Sequence, residues 1–201
     1  SRHFNVVKNK HFSDNKNIDK YQGQRLKDNN QLSPFDEIVR DSATSHQFDW
    51  RLITAQMYQE SRFNPKARSH VGAVGLMQVM PRTARELGYK LPFSDAKGIE
   101  AGVNYLAWCR DRFDATLPPQ ERLWFSLAAY NAGAGHVFDA RRLAEQQGLN
   151  PDIWFDHVEQ AMLLLSKRKY YSNARFGYVR GDEPVNYVRQ IRKRYRAYLD
   201  L

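Results

Sequence analysis

Apolar residues return every three or four positions in one segment of this chain after another, and each segment is bracketed by residues that start or stop helices. Ser33-Pro34 is a helix-starting pair, and Asp36 and Glu37 follow where the backbone dipole favours acids. With Phe35, Ile38, Val39 and Ala43 on one face, they predict a helix over 33–45. Asp49 can cap the next, an amphipathic stretch in which Trp50, Ile53, Thr54 and Met57 recur and beyond which Asn64-Pro65 lies. Further helices are expected over 81–87, stopping at Gly88, and over 99–113, 120–131 and 136–147, stopping at Gly148. Two more, over 154–165 and 184–199, complete the set. Long alternating runs, which half-buried strands need, are absent. The fold class is therefore mainly α, with a very small β element allowed around 69–74 in an otherwise irregular loop over 66–74.

At 201 residues and 42% hydrophobic content the chain is long enough to bury one good core. The stretch 3–30 differs: it is poor in apolar residues and rich in Lys, Asn, Asp and Gln, so it is expected to be extended or partly disordered. Residues 1–31 accordingly read as a linker or the tail of a preceding domain, and 32–201 as the folded domain. A net charge of +9 favours polyanionic partners. Arg189, Arg192, Lys193, Arg194 and Arg196 invite a nucleic-acid reading, but no zinc-finger spacing, RNP-like segment or helix-turn-helix signature accompanies them, so no nucleic acid is expected. The single cysteine, Cys109, allows no internal disulfide and reads as a small buried hydrophobe. Six histidines show no metal-binding spacing, so neither metal nor organic cofactor is expected. No run approaches the about 20 apolar residues of a membrane span. The chain begins at Ser1 without a hydrophobic signal region, so it reads as a fragment or processed product whose parent carries any anchor.

The residue that most concentrates chemistry is Glu60, in the last turn of the helix that Asp49 starts. A carboxyl there faces the negative end of the helix dipole, and aromatic or thioether neighbours would strip its water; both favour the protonated acid. Three further segments look built around such a group: Gly75-Leu76-Met77-Gln78, Ala129-Tyr130-Asn131 and Glu183-Pro184-Val185-Asn186-Tyr187-Val188. Each alone also has a structural explanation. Met80 can fill a gap in a returning loop, and Tyr130 shares a helix face with Leu123 and Leu127.

Taken in this order, Glu60-Ser61 and the three segments resemble the lytic transglycosylase family with the goose-type-lysozyme-like catalytic domain. The runs Trp154-Phe155-Asp156-His157-Val158-Glu159 and Gly177-Tyr178-Val179-Arg180-Gly181 make its membrane-bound F type the nearest. The resemblance implies a lysozyme-like helical domain with a substrate cleft. It also implies cleavage of the glycan strands of peptidoglycan between N-acetylmuramic acid and N-acetylglucosamine, with Glu60 first as general acid and then as base. By the same resemblance Gln78, Met80, Tyr130 and Asn131, with Ala129 in the motif, line the sugar site. Ser61 has a supporting role there or is a polar residue at a helix end. The Tyr187 hydroxyl orients the acid or the ring is a core aromatic, and Glu159 matches a second acidic position of some members. The cluster Tyr170, Tyr171, Phe176 and Tyr178 stacks on sugars or packs as a loop. The implied setting is the periplasm, with the parent attached to the outer membrane of a Gram-negative bacterium, and the expected state is a monomer. A goose-type lysozyme using water, or a glycan-binding module without catalysis, are the alternatives.

Overall fold

The computed structural model describes residues 31–201; the segment expected to be extended or disordered, and with it the expected linker or tail up to residue 30, lies outside the described residues. Ser33 does not cap a helix. Its hydroxyl donates to Asp36 at 2.6 Å and accepts the Phe35 N–H at 3.1 Å, while the other Asp36 oxygen accepts the Leu32 N–H at 2.7 Å. These local bonds compete with the helical pattern, so α1 (Asp36–Thr44) begins a turn later than expected. Asp49, in contrast, caps as expected, accepting the Arg51 N–H at 2.9 Å at the head of α2 (Trp50–Ser61).

The described residues fall into two compact units: Leu106–Arg189, and 31–105 with Gln190–Leu201. In the described part of the latter, α1 packs on α2. Leu52, Ile53, Thr54, Ala55, Gln56 and Met57 are all buried, so α2 is enclosed on every side rather than amphipathic. Val74 pairs with Arg68 and with Val79 as isolated antiparallel bridges; the allowed β element amounts to these two contacts, with no strand among the described residues. α3 (Pro81–Glu86) starts on its proline and stops before Gly88, whose φ of +85° provides the left-handed turn. In α4 (Asp95–Arg110), Gly102 is a seat for Met77: a Cβ there would stand 2.3 Å from the Met77 Cβ.

Within Leu106–Arg189, α5 (Pro119–Ala132) and α6 (Ala134–Gln146) pack against each other, and α7 (Glu159–Leu164) packs on α6. The single helix expected over 154–165 is broken. Trp154–Val158 is a wide turn in which Phe155 is extended (ψ 136°) and Asp156 is left-handed (φ 63°). The Glu159 carboxylate reaches back to accept the Asp156 N–H at 2.9 Å, which starts α7 afresh. The Trp154 N–H is in turn held by Glu121 of α5 at 2.8 Å. A short helix that the sequence pattern does not announce, α8 (Arg168–Tyr171), precedes the last, α9 (Asp182–Leu199). The mainly α reading holds, and Cys109 is buried as expected.

Candidate active site

The C-terminal end of α2 places Glu60 inside the protein, with 0% of its surface exposed. Ser61 beside it is buried and donates its hydroxyl back to the Met57 carbonyl at 3.2 Å. The chain then turns sharply: Arg62 (φ 53°) and Phe63 (φ 64°) are successive left-handed residues without glycine's freedom, each costing about 1–2 kcal/mol. Packing supports the turn. The Arg62 N–H reaches the Tyr58 carbonyl at 2.8 Å, and the Phe63 ring lies edge-on to Tyr58 with centroids 5.4 Å apart. Such strain persists only where the surrounding structure over-determines it.

Gly75-Leu76-Met77-Gln78 closes the loop in the same unit. Leu76, Met77 and Gln78 are all buried, and Gln78 adopts a third left-handed backbone (φ 50°). The Gln78 side-chain amide donates to the carbonyls of Ala67 at 3.0 Å and Gly75 at 2.9 Å, tying the loop across. Met80 is half-buried just before α3.

In the unit Leu106–Arg189, Ala129 and Tyr130 are wholly buried in the last turn of α5, and Asn131 and Tyr187 are nearly so. Gly133 follows at φ +92°, turning the chain directly into α6. Glu159 is 1% exposed and fully engaged. Besides the Asp156 N–H, its two oxygens accept Nε and Nη2 of Arg189, each at 2.9 Å, in a bidentate fork. The fork joins α7 to α9, and Tyr187 lies two residues before its cation.

Residues 37–153 match the family described as transglycosylase SLT domain, which is more than half of the chain. This chain belongs to that family. Over 147 residues the SLT domain is 48% identical to a protein of Shewanella halifaxensis named membrane-bound lytic murein transglycosylase F, a match covering 73% of this chain and 31% of that protein. A Vibrio vulnificus protein of the same name is 45% identical over 155 residues, 77% of this chain and 29% of the relative. The chain thus spans about a third of the length of the curated relatives it matches. Among solved structures, the lytic transglycosylase Slt of Pseudomonas aeruginosa superposes with a TM-score of 0.58 at 24% identity, over 91% of this chain and 27% of that one. The 70 kDa soluble lytic transglycosylase of Escherichia coli gives 0.54 at 25% identity, over 85% of this chain and 25% of its own. The fold is that of these helical enzymes.

Two acids shape the SLT domain in ways that sequence reasoning missed. Beyond its expected cap on α2, the Asp49 carboxylate forms a fork with Arg51 and accepts the Tyr195 hydroxyl at 3.0 Å. Burial pushes this carboxyl up, but the Arg51 and Tyr195 hydrogen bonds outweigh it and leave Asp49 below its ordinary value. The other is Asp139 on α6, whose buried oxygens accept the backbone N–H groups of Arg175 at 3.1 Å and Phe176 at 2.6 Å and pair with Arg142. An acid on the stripe formed by Val137, Ala140, Leu143 and Ala144 is the signal that could have found it. His136, on the same helix, has its pKa lowered by burial against a smaller opposing pull from Asp139. Among the described residues no group of three or more His, Cys, Asp or Glu side chains is placed to hold a metal ion, and no helix is long and apolar enough to cross a membrane.

Proposed function

We propose that this chain acts on peptidoglycan as a lytic transglycosylase, cleaving the β-1,4 bond between N-acetylmuramic acid and N-acetylglucosamine and leaving 1,6-anhydro ends. The observation that carries this reading is the complete enclosure of Glu60 at the end of α2, within the residues 37–153 that match the transglycosylase SLT domain. The names of the relatives, lytic murein transglycosylases, point to the same reaction.

The chemistry follows from one carboxyl used twice. A carboxyl shut away from water is harder to ionise than an exposed one, which suits a proton donor. Glu60 gives its proton to the glycosidic oxygen as the bond to C1 breaks and oxocarbenium character develops. The resulting carboxylate then takes the proton of the muramic C6 hydroxyl, whose oxygen bonds to C1 and closes the anhydro ring. The acid is regenerated, and no water is consumed. Gln78, Met80, Tyr130 and Asn131, with Ala129 shaping the motif, would contact the sugars. Ser61 and Tyr187 would support the acid, and Glu159, bound by Arg189, would fix α9 and the tyrosine it carries. The relatives' membrane-bound name fits an enzyme of the bacterial cell envelope; we place it in the periplasm, with its parent on the outer membrane and the catalytic domain monomeric.

Digestion of purified sacculi followed by mass analysis of the released muropeptides tests the reading. Anhydro ends, lighter by one water than reducing ends, are expected; reducing ends would indicate a water-using lysozyme, and no release would leave a glycan-binding module.

A further inference from the structure

The catalytic reading does not use the four aromatics in and next to the segment 172–181, and the structure packs one of them, Phe176, and displays another, Tyr178. Phe176 is packed. Its ring lies where a Cβ on Gly135 would come within 2.4 Å, it is edge-on to His136 at 6.4 Å, and its backbone N–H is held by Asp139. Gly177 then turns the chain with φ +76°, Val179 points inward, and Gly181 sits so close to α7 that a Cβ would come within 1.9 Å of the Met162 carbonyl oxygen. Between these fixed points Tyr178 is forced outward and is 55% exposed.

Tyr178 does not stand alone. Tyr171 of α8 meets it edge-on, with ring centroids 5.5 Å apart and planes at 84°, which fixes the Tyr178 ring while leaving a face open. Arg168 and Lys169 precede Tyr171 on the same short helix, both exposed, with Lys169 Nζ 5.4 Å from the Tyr170 ring centre. Among the described residues neither forms an ion pair with a carboxylate. A rigid exposed aromatic loses little conformational freedom on binding, and cations without an ion pair on the helix that braces it favour a partner with negative charge near a flat apolar surface. A sugar ring has such a flat face of C–H bonds, and the stem peptides of peptidoglycan carry the carboxylates.

We propose that Tyr178, braced by Tyr171, together with Arg168 and Lys169 on the helix that carries the brace, is a contact site for the murein strand, with a sugar ring on the tyrosine face and stem-peptide carboxylates on the cations. The site rests on the murein reading above for the identity of its ligand, although its effect on binding is measurable without turnover.

The test is co-sedimentation of the 201-residue chain with purified sacculi, in the Glu60→Gln background so that nothing is digested, with thermal melting to confirm folding. Tyr178→Ala should weaken retention about tenfold, and Tyr178→Phe should stay within about twofold, since the ring face makes the contact. Arg168→Ala with Lys169→Ala should weaken it about threefold on native sacculi and hardly at all on sacculi whose carboxylates have been amidated. Retention of Tyr178→Ala equal to the parent would overturn the site, as would a Tyr178→Phe loss as large as that of the alanine variant. An equal effect of the cation substitutions on native and amidated sacculi would overturn the carboxylate contact. Failure of the murein reading looks different: the Glu60-bearing chain would release no anhydro muropeptides, whatever Tyr178 does.

Discussion

Glu60 and Tyr178 lie at opposite extremes of exposure, 0% against 55%, yet the backbone at each is pinned by similar means. Beyond Glu60, two left-handed non-glycine residues fold the chain back under aromatic packing; on either side of Tyr178, Gly177 supplies the turn and Gly181 the close approach to Met162. The difference lies in what rigidity delivers. At the end of α2 it keeps a carboxyl away from water, as the proposed acid requires; in 177–181 it holds an aromatic ring in the solvent, as the proposed strand contact requires. Both regions depend on the backbone that holds them.

That dependence can be broken on either side. The largest effect on stability is expected from Gly181→Ala, because the new methyl group meets the Met162 backbone rather than a movable side chain. A loss of about 3 kcal/mol, or a melting point lower by roughly 10 °C, should follow. A midpoint unchanged within about 2 °C would show that the segment is not pinned. Next comes Arg189→Ala, which strips two hydrogen bonds from the buried Glu159 carboxylate and should cost about 2 kcal/mol in urea unfolding. Adding Glu159→Gln should recover part of this loss, since the uncompensated charge goes; no recovery would mean that the pair matters only through packing.

A smaller effect should appear with pH. Burial, reinforced by the hydrogen bond to Asp49, pushes the Tyr195 phenol up to about 12, against about 10 in an unfolded chain. The folded state therefore holds this proton more tightly, so the contribution is complete below about pH 10 and is lost as pH rises toward 12. Unfolding midpoints should fall across that window, and Tyr195→Phe should flatten the fall while leaving the residual slope of Tyr198, whose phenol is also raised, chiefly by burial. An unchanged slope in the phenylalanine variant would remove Tyr195 from the explanation.

Much of this was legible in the sequence where a local rule is also the structural cause. Asp49 caps because an acid before a helix accepts an orphan N–H, and Gly88 and Gly148 end helices because both take positive φ. Glu60 was legible as part of a motif set, and its enclosure follows from a helix buried on all sides, which the expected amphipathic face understated. The break at Phe155 and Asp156 was not legible. Trp154, Val158, Ala161, Met162 and Leu165 keep perfect helical spacing because they all face the core, and spacing reports burial rather than backbone angles. Ser33 misled for a similar reason: a hydroxyl that can cap a helix can equally close a turn with Asp36. Tyr178 and Phe176 belong to one aromatic cluster by composition. Only the glycine contacts at 135 and 181 reveal that one ring is packed and the other displayed.

The most direct measurement of the central claim is turnover of sacculi by the Glu60→Gln variant beside the parent chain, with folding checked by thermal melting. Loss of soluble anhydro muropeptides by at least about a thousandfold, with the melting point retained, is the result expected when a single enclosed carboxyl performs both proton transfers. A folded variant that still released anhydro muropeptides at a substantial fraction of the parent rate would contradict it.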